Sequence, residues 1–143
     1  PNNSQLIDFT PIISYLSQRP DITFAYVFGS VLTEYFIEGK SDIDLAIMGA
    51  DKEFTFYDLQ EMAMDISDLL PGHPEVDMVD LMTDAPVLIH QIMEHGQPLF
   101  VKDELVHDLF YCTQSSKFID HQAWSKQFDD VLREGILTKS DPQ

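Results

Sequence analysis

The seven residues Ile22–Phe28 (ITFAYVF) limit the fold more than any other part of the chain. β-Branched and aromatic residues follow one another with almost no polar position between them, and a run of that length is a strand. A strand that is apolar on both faces needs cover on both, so it is central in a sheet between helical layers. The flanking segments agree. Thr10-Pro11 reads as an N-cap and an N1 proline opening a short helix through Leu16, and Arg19-Pro20-Asp21 as the turn into the strand. Asp42 to Met48 (DIDLAIM) is a second strand, polar at its start and apolar afterwards. Thr55 to Leu70 repeats apolar residues at helical period, with Thr55 and Asp58 spaced as a capping box. Pro71-Gly72-His73-Pro74 breaks that helix, Glu75 to Leu81 is a third strand, and Asp84-Ala85-Pro86 opens a helix that Gly96 ends. Pro98 to Val101 is a short edge strand, where a sheet tolerates proline.

From Lys102 onward, Leu105, Leu109, Cys112, Ser116, Ile119 and Ala123 recur at three- and four-residue spacing. That spacing predicts a long helix or helix pair to about Arg133, with Cys112 packed on its apolar face. The element order is that of an α/β sandwich with a C-terminal helical tail. Residues 1–101 form its core and 102–143 the tail of the same compact domain.

At 143 residues the chain has room for one domain with a sizeable core. Its single cysteine excludes an intrachain disulfide framework and a cysteine-based zinc site. No apolar run approaches the roughly 18 residues of a membrane span, so the expected location is the cytoplasm. Twenty-five acidic against eight basic residues give a formal charge of −17. Such a field repels nucleic acid and anionic lipid, and draws in cations or a basic protein.

Three features carry chemistry. Phe28-Gly29-Ser30 ends the buried strand; glycine allows close backbone approach, and a serine hydroxyl with backbone N–H groups suits a phosphate. Taken alone, the pair also fits a plain turn. Asp42 and Asp44 enter the second strand on one face, about 7 Å apart along the chain. Aspartate is disfavoured in strands, and a divalent cation with oxygen ligands gives two of them a reason, a solvated strand end being the other reading. Asp77, in a separate strand, completes a carboxylate triad if that strand lies beside Asp42–Met48. Asp80, three residues on, faces the opposite side. At about 5 Å and an effective dielectric near 20, each like-charge pair costs about 3 kcal/mol, which favours raised pKa values or bound cations.

With FGS, then SDIDLAIM, then VDMVDL followed by a helix and GQPLF, the sequence resembles the minimal nucleotidyltransferases of the DNA polymerase β-like superfamily. The match is nearest to the MNT antitoxins that pair with HEPN toxins, and its motifs run from about Thr23 to Phe100. The resemblance implies a mixed sheet flanked by helices, with Gly29 and Ser30 gripping nucleotide phosphates. It implies that Asp42 and Asp44 coordinate two Mg²⁺ ions and that Asp77 ligates the catalytic ion and helps activate the acceptor hydroxyl. It further implies ATP as donor and a protein acceptor, AMP being transferred to a tyrosine of a partner HEPN ribonuclease that is thereby silenced, in a hetero-oligomer of the two. Between Ser30 and Asp42 stand eleven residues, VLTEYFIEGKS, one more than is usual for the family. The segment begins with Val31 where a basic residue is common, and Lys40 is its one cation, the candidate for a phosphate contact, a solvated surface lysine being the other reading.

Two other functions remain in view: an antitoxin that neutralises by binding alone, and a small-molecule nucleotidyltransferase. The second is disfavoured because little chain is left after the core to build a small-acceptor pocket. The five histidines (His73, His90, His95, His107 and His121) lack metal-motif spacing and read as packing or surface residues. Met62, Met64, Met78, Met82 and Met93 read as core filling, and Trp124 and Phe128 as packing residues or partner anchors.

Overall fold

The computed structural model describes residues 7–37 and 41–140; from residue 121 onward, side chains are described at Gln122 and Lys126 only. Helix α1 (Thr10–Ser17) leads into strand β1 (Ile22–Phe28), which ends in a 3-10 turn at Gly29–Leu32. Strand β2 (Ile43–Gly49), helix α2 (Phe56–Leu69), strand β3 (Val76–Asp80), helix α3 (Pro86–His95), strand β4 (Gln97–Val101) and helix α4 (Glu104–Ser140) follow. The tail is therefore one helix rather than a pair. Phe9, not Thr10, takes the N-cap position of α1. Thr10 is already helical, and its N–H donates to Asp8 Oδ1 at 3.0 Å, so a side chain two residues earlier satisfies this first helical N–H. At α2 the expected box forms: Asp58 N–H donates to Thr55 Oγ1 at 3.1 Å, and Thr55 N–H to Asp58 Oδ2 at 3.0 Å.

The four strands lie in the order β3-β2-β1-β4. β1 is antiparallel to both neighbours, whereas β2 and β3 are parallel, so the sheet is mixed. Proline in β4 falls on an edge strand, as the sequence predicts. Alternation along β1 sorts two cores. Ala25 and Val27 pack with Ile43, Leu45 and Ile47 of β2 against Ile12, Leu16, Met62 and Ile66 of α1 and α2. On the other face Phe24 and Tyr26 meet Ile89, Ile92 and Met93 of α3, with Phe110 and Tyr111 of α4 against them. Burying Phe24 and Ile66 fully, each worth about 1.5–3 kcal/mol, fixes which way the strands face.

Helix α4 is attached by the face opposite to the predicted one. His107 lies edge-on to Phe24 at 4.9 Å between ring centres, and its Nε2 shares a hydrogen bond with Tyr26 Oη at 2.6 Å. Tyr111 Oη donates to Glu94 of α3, Gln114 is buried, and Phe118 stacks on His90 with ring centres 3.7 Å apart. Aromatic area decides this outcome, since each such ring buries more than a leucine. Leu105, Leu109, Cys112 and Ile119 consequently face outward, contrary to the expectation that they pack inside. Met64 and Met82 are likewise exposed rather than core, while Met62 and Met93 are buried as expected. Among the described residues no helix is long and apolar enough to cross a membrane.

Candidate active site

Strand register builds the site. β1 ends where β2 and β3 begin, and Asp44 is paired with Phe28 on one side and with Asp77 on the other. Asp42, Asp44 and Asp77 therefore share the α3/α4 face of the sheet by alternation, at the end those helices leave uncovered. Asp42 stands one residue before β2, exposed; Asp77 is exposed on the edge strand; Asp44 between them is half-buried. Burial first, then the carboxylates of Asp77 and Asp42, push the Asp44 carboxyl above the usual aspartate range. Both charges acting on it are negative.

Gly29 lies directly against that carboxylate. Its φ is +83°, in the left-handed region, and a methyl group built on its Cα would overlap Asp44 Oδ2. Only glycine satisfies both the backbone angle and the approach. Ser30 follows, with its carbonyl accepting from Thr33 N–H at 2.9 Å and from Thr33 Oγ1 at 2.8 Å. These bonds hold the turn closed and fix the Ser30 backbone beside the acids. Sequence reading passed over Thr33; its i+3 spacing from Ser30 is the available signal.

Val31, where the resemblance leads one to expect a basic residue, is buried in the α1/α2 core together with Phe36. The segment after Ser30 is thus nailed to the body by apolar side chains instead of reaching toward phosphate with a cation. Ile37 and Ser41 close its base: Ser41 N–H donates to the Ile37 carbonyl at 2.8 Å, and Ile37 N–H to Ser41 Oγ at 2.9 Å. Lys40, the candidate phosphate contact, lies outside the described residues.

The turn feeding β3 is also tied down. Ser67 Oγ donates to the Pro74 carbonyl at 2.6 Å, and Ile43 N–H to the Glu75 carbonyl at 2.9 Å, which together set where Asp77 emerges. Asp80 faces the other way, as predicted, and accepts from Phe54 N–H and Met82 N–H, both at 2.9 Å. Asp77 also walls a cleft of about 490 Å³ shared with Gln60, Met64, Ser67 and His73. A cleft of about 580 Å³ lined by Thr23, Met48, Lys52 and Asp103 is at the far end of the sheet, away from the acids.

Hard oxygen donors gathered around a half-buried carboxylate fit a divalent cation, which takes carboxylate ligands and offsets their repulsion. Among the described residues, the group of three whose ligand atoms all lie within 4.8 Å of one another is Glu104, His107 and Asp108, not Asp42, Asp44 and Asp77. His107 is engaged on both nitrogens, by Tyr26 and by Asp108 at 3.2 Å, so that cluster joins α4 to the sheet.

A mixed four-stranded sheet flanked by helices, with acids at the start of β2 and β3 and a glycine-serine turn beside them at the end of β1, is a nucleotidyltransferase-like fold. The comparison with known proteins is specific: residues 10–105 match the polymerase beta nucleotidyltransferase family, and the chain belongs to it. Its fold is similar to a chain of a toxin–antitoxin crystal structure with AMP-PNP, at TM-score 0.73 and 27% identity, covering 88% of this chain and 99% of that one. A chain of the MntA-HepT toxin–antitoxin matches at TM-score 0.65 and 28% identity, covering 85% and 93%. So does a chain of the complex between tri-AMPylated Shewanella oneidensis HEPN toxin and MNT antitoxin, at TM-score 0.65 and 28% identity, covering 85% and 92%. No protein of curated function matches in sequence.

Proposed function

We propose that this chain is a Mg²⁺-dependent protein adenylyltransferase that acts as an antitoxin, moving AMP from ATP onto a tyrosine of a HEPN ribonuclease toxin with which it forms a hetero-oligomer. The observation that carries the reading is the juxtaposition of Asp44 with Asp77 across parallel strands, under the Gly29 turn. The complexes of similar fold, one with AMP-PNP and one with a tri-AMPylated toxin, supply the donor and acceptor classes.

In this reading Asp42, Asp44 and Asp77 hold two Mg²⁺ ions, which when bound neutralise the triphosphate and stabilise charge developing at the α-phosphorus. Gly29 lets the backbone approach a phosphate closely, and Ser30 donates to it from its hydroxyl and N–H. Lys40 is a further candidate phosphate contact. The acceptor tyrosine enters beside Asp77, whose carboxylate orients the hydroxyl and takes its proton. The phenolic oxygen forms a bond to the α-phosphorus as the bond to the β-phosphate oxygen breaks, and pyrophosphate leaves. The chain's formal charge of −17 favours a basic protein acceptor over a polynucleotide.

The test is incubation with α-labelled ATP, Mg²⁺ and the product of the neighbouring gene, expected to be a HEPN protein. Label on a toxin tyrosine, lost in Asp42→Asn/Asp44→Asn, is the expected result; no transfer under any condition rejects the enzyme. The burial of Val31 in place of a phosphate-facing cation favours a second reading, an antitoxin that neutralises by binding alone. Full neutralisation by the double variant would establish it.

A further inference from the structure

The strongest unexplained feature lies away from the acids, on the outer side of α4. Leu105, Leu109 and Ile119 are 67%, 58% and 62% exposed, and Cys112 between them is exposed as well. They occupy i, i+4, i+7 and i+14, one row about 21 Å long on a straight helix. The opposite face is fastened to the body through His107, Phe110, Tyr111, Gln114 and Phe118, so the row is presented rigidly. An apolar row this long on a fastened helix is a recognition surface, and helix-in-groove partners read this spacing. Exposed acids border it: Glu104 and Asp108 along one side and Asp120 along the other.

Resting on the reading that the partner is a HEPN toxin, the geometry points to this row as the toxin's docking surface. It takes a basic amphipathic helix, whose apolar stripe covers Leu105, Leu109, Cys112 and Ile119 while its lysines and arginines meet the bordering acids. Charge selects that occupant. A second copy of this chain would bring another −17 and oppose acid to acid, whereas a basic helix gains on both counts. Docking there leaves the Asp44 end of the sheet open for the acceptor tyrosine.

Cys112, the sole cysteine, is a built-in reporter. The purified full chain is mixed with the neighbouring-gene product expected to be its HEPN partner, complex formation is followed by light scattering, and Cys112 is alkylated with iodoacetamide and quantified by peptide mass spectrometry. Labelling is expected to slow at least tenfold in the complex and to be independent of concentration for the chain alone. Leu109→Glu/Ile119→Glu, both at exposed positions, is expected to weaken binding at least 30-fold with circular dichroism and Tm unchanged. Tyr57→Glu, 81% exposed on α2 and outside the Asp77 cleft, is expected to stay within threefold. If a complex forms but Cys112 labels at its free rate, or the double variant binds within threefold, the docking surface is wrong and the adenylyltransferase reading stands. Concentration-dependent protection of the chain alone means that a second copy occupies the row, which also overturns it. If no complex forms, both fall together.

Discussion

Replacing Asp44 by asparagine removes a carboxylate that is half-buried and faced by two others. In water-like surroundings the loss of a charge on a folded surface is nearly neutral, but here every electrostatic cause acts against the ionised form. At about 5 Å and a dielectric near 20, one facing charge costs about 3 kcal/mol; exposure of Asp42 and Asp77 and ordinary salt reduce that to about 1 kcal/mol. Desolvation of Asp44 adds to it. Asp44→Asn is therefore expected to stabilise the cation-free protein by about 1–2 kcal/mol, or about 3–6 °C in Tm. The sign with pH follows from linkage. The folded-state pKa of Asp44 lies above its unfolded value, so the favourable contribution is fully present below the ordinary aspartate pKa of about 4. It is lost as pH rises through the raised value. The stability gap between variant and wild type opens as pH rises from about 4 through that raised value. Urea denaturation in EDTA across that range measures it. Adding Mg²⁺ with AMP-PNP at about ten times its Kd raises wild type by about 1.4 kcal/mol and leaves the variant unmoved. A variant less stable than wild type in EDTA, or a gap that does not change with pH, would refute the electrostatic account.

Other expectations follow from single contacts. Gly29→Ala forces a side chain into the left-handed region and onto Asp44, costing about 1–2 kcal/mol and abolishing the thermal shift given by Mg²⁺ and AMP-PNP. A normal shift in that variant would mean the nucleotide does not use this turn. Thr55→Ala breaks the capping box of α2 and is expected to cost about 1 kcal/mol by urea titration, with Asp58→Ala giving a similar loss and the double variant less than their sum. Burial, together with the bond from its Oη to Asp65 Oδ2 at 2.7 Å, pushes the Tyr15 phenol up to about 12. Its contribution to stability is present below about pH 10 and lost as pH rises toward 12, and the difference in 295 nm absorbance between wild type and Tyr15→Phe should titrate there.

Much of this architecture can be read from local pattern, because the pattern and the burial agree. ITFAYVF became a two-faced strand, and Asp42 with Asp44 marked the open end of the next one. The Thr55–Asp58 spacing formed a box with both hydrogen bonds in place. Asp77 beside Asp44 needed one further inference, that β3 neighbours β2, which the parallel pairing bears out. What pattern does not contain is competition between surfaces. Helix α4 has two apolar rows, and periodicity picked Leu105, Leu109, Cys112 and Ile119, while Phe110, Tyr111 and Phe118 won the body through their larger area. Val31 looked like a departure at a phosphate-binding position. Its role is steric, because the chain turns it inward with Phe36 to anchor the loop. Met64 and Met82 are apolar residues left on the surface, which composition alone never separates from those inside.

The ladder that sets Asp44 opposite Phe28 and Asp77 also guards against misassembly. Were β2 to slide by a single residue, Asp44 would turn into the oily layer beneath α2 and Ile43 would stand among the acids. A chain joined out of step would thus strand a charge inside and scatter the three acids in one stroke. Accurate folding and the capacity for chemistry are enforced here by the same side chain.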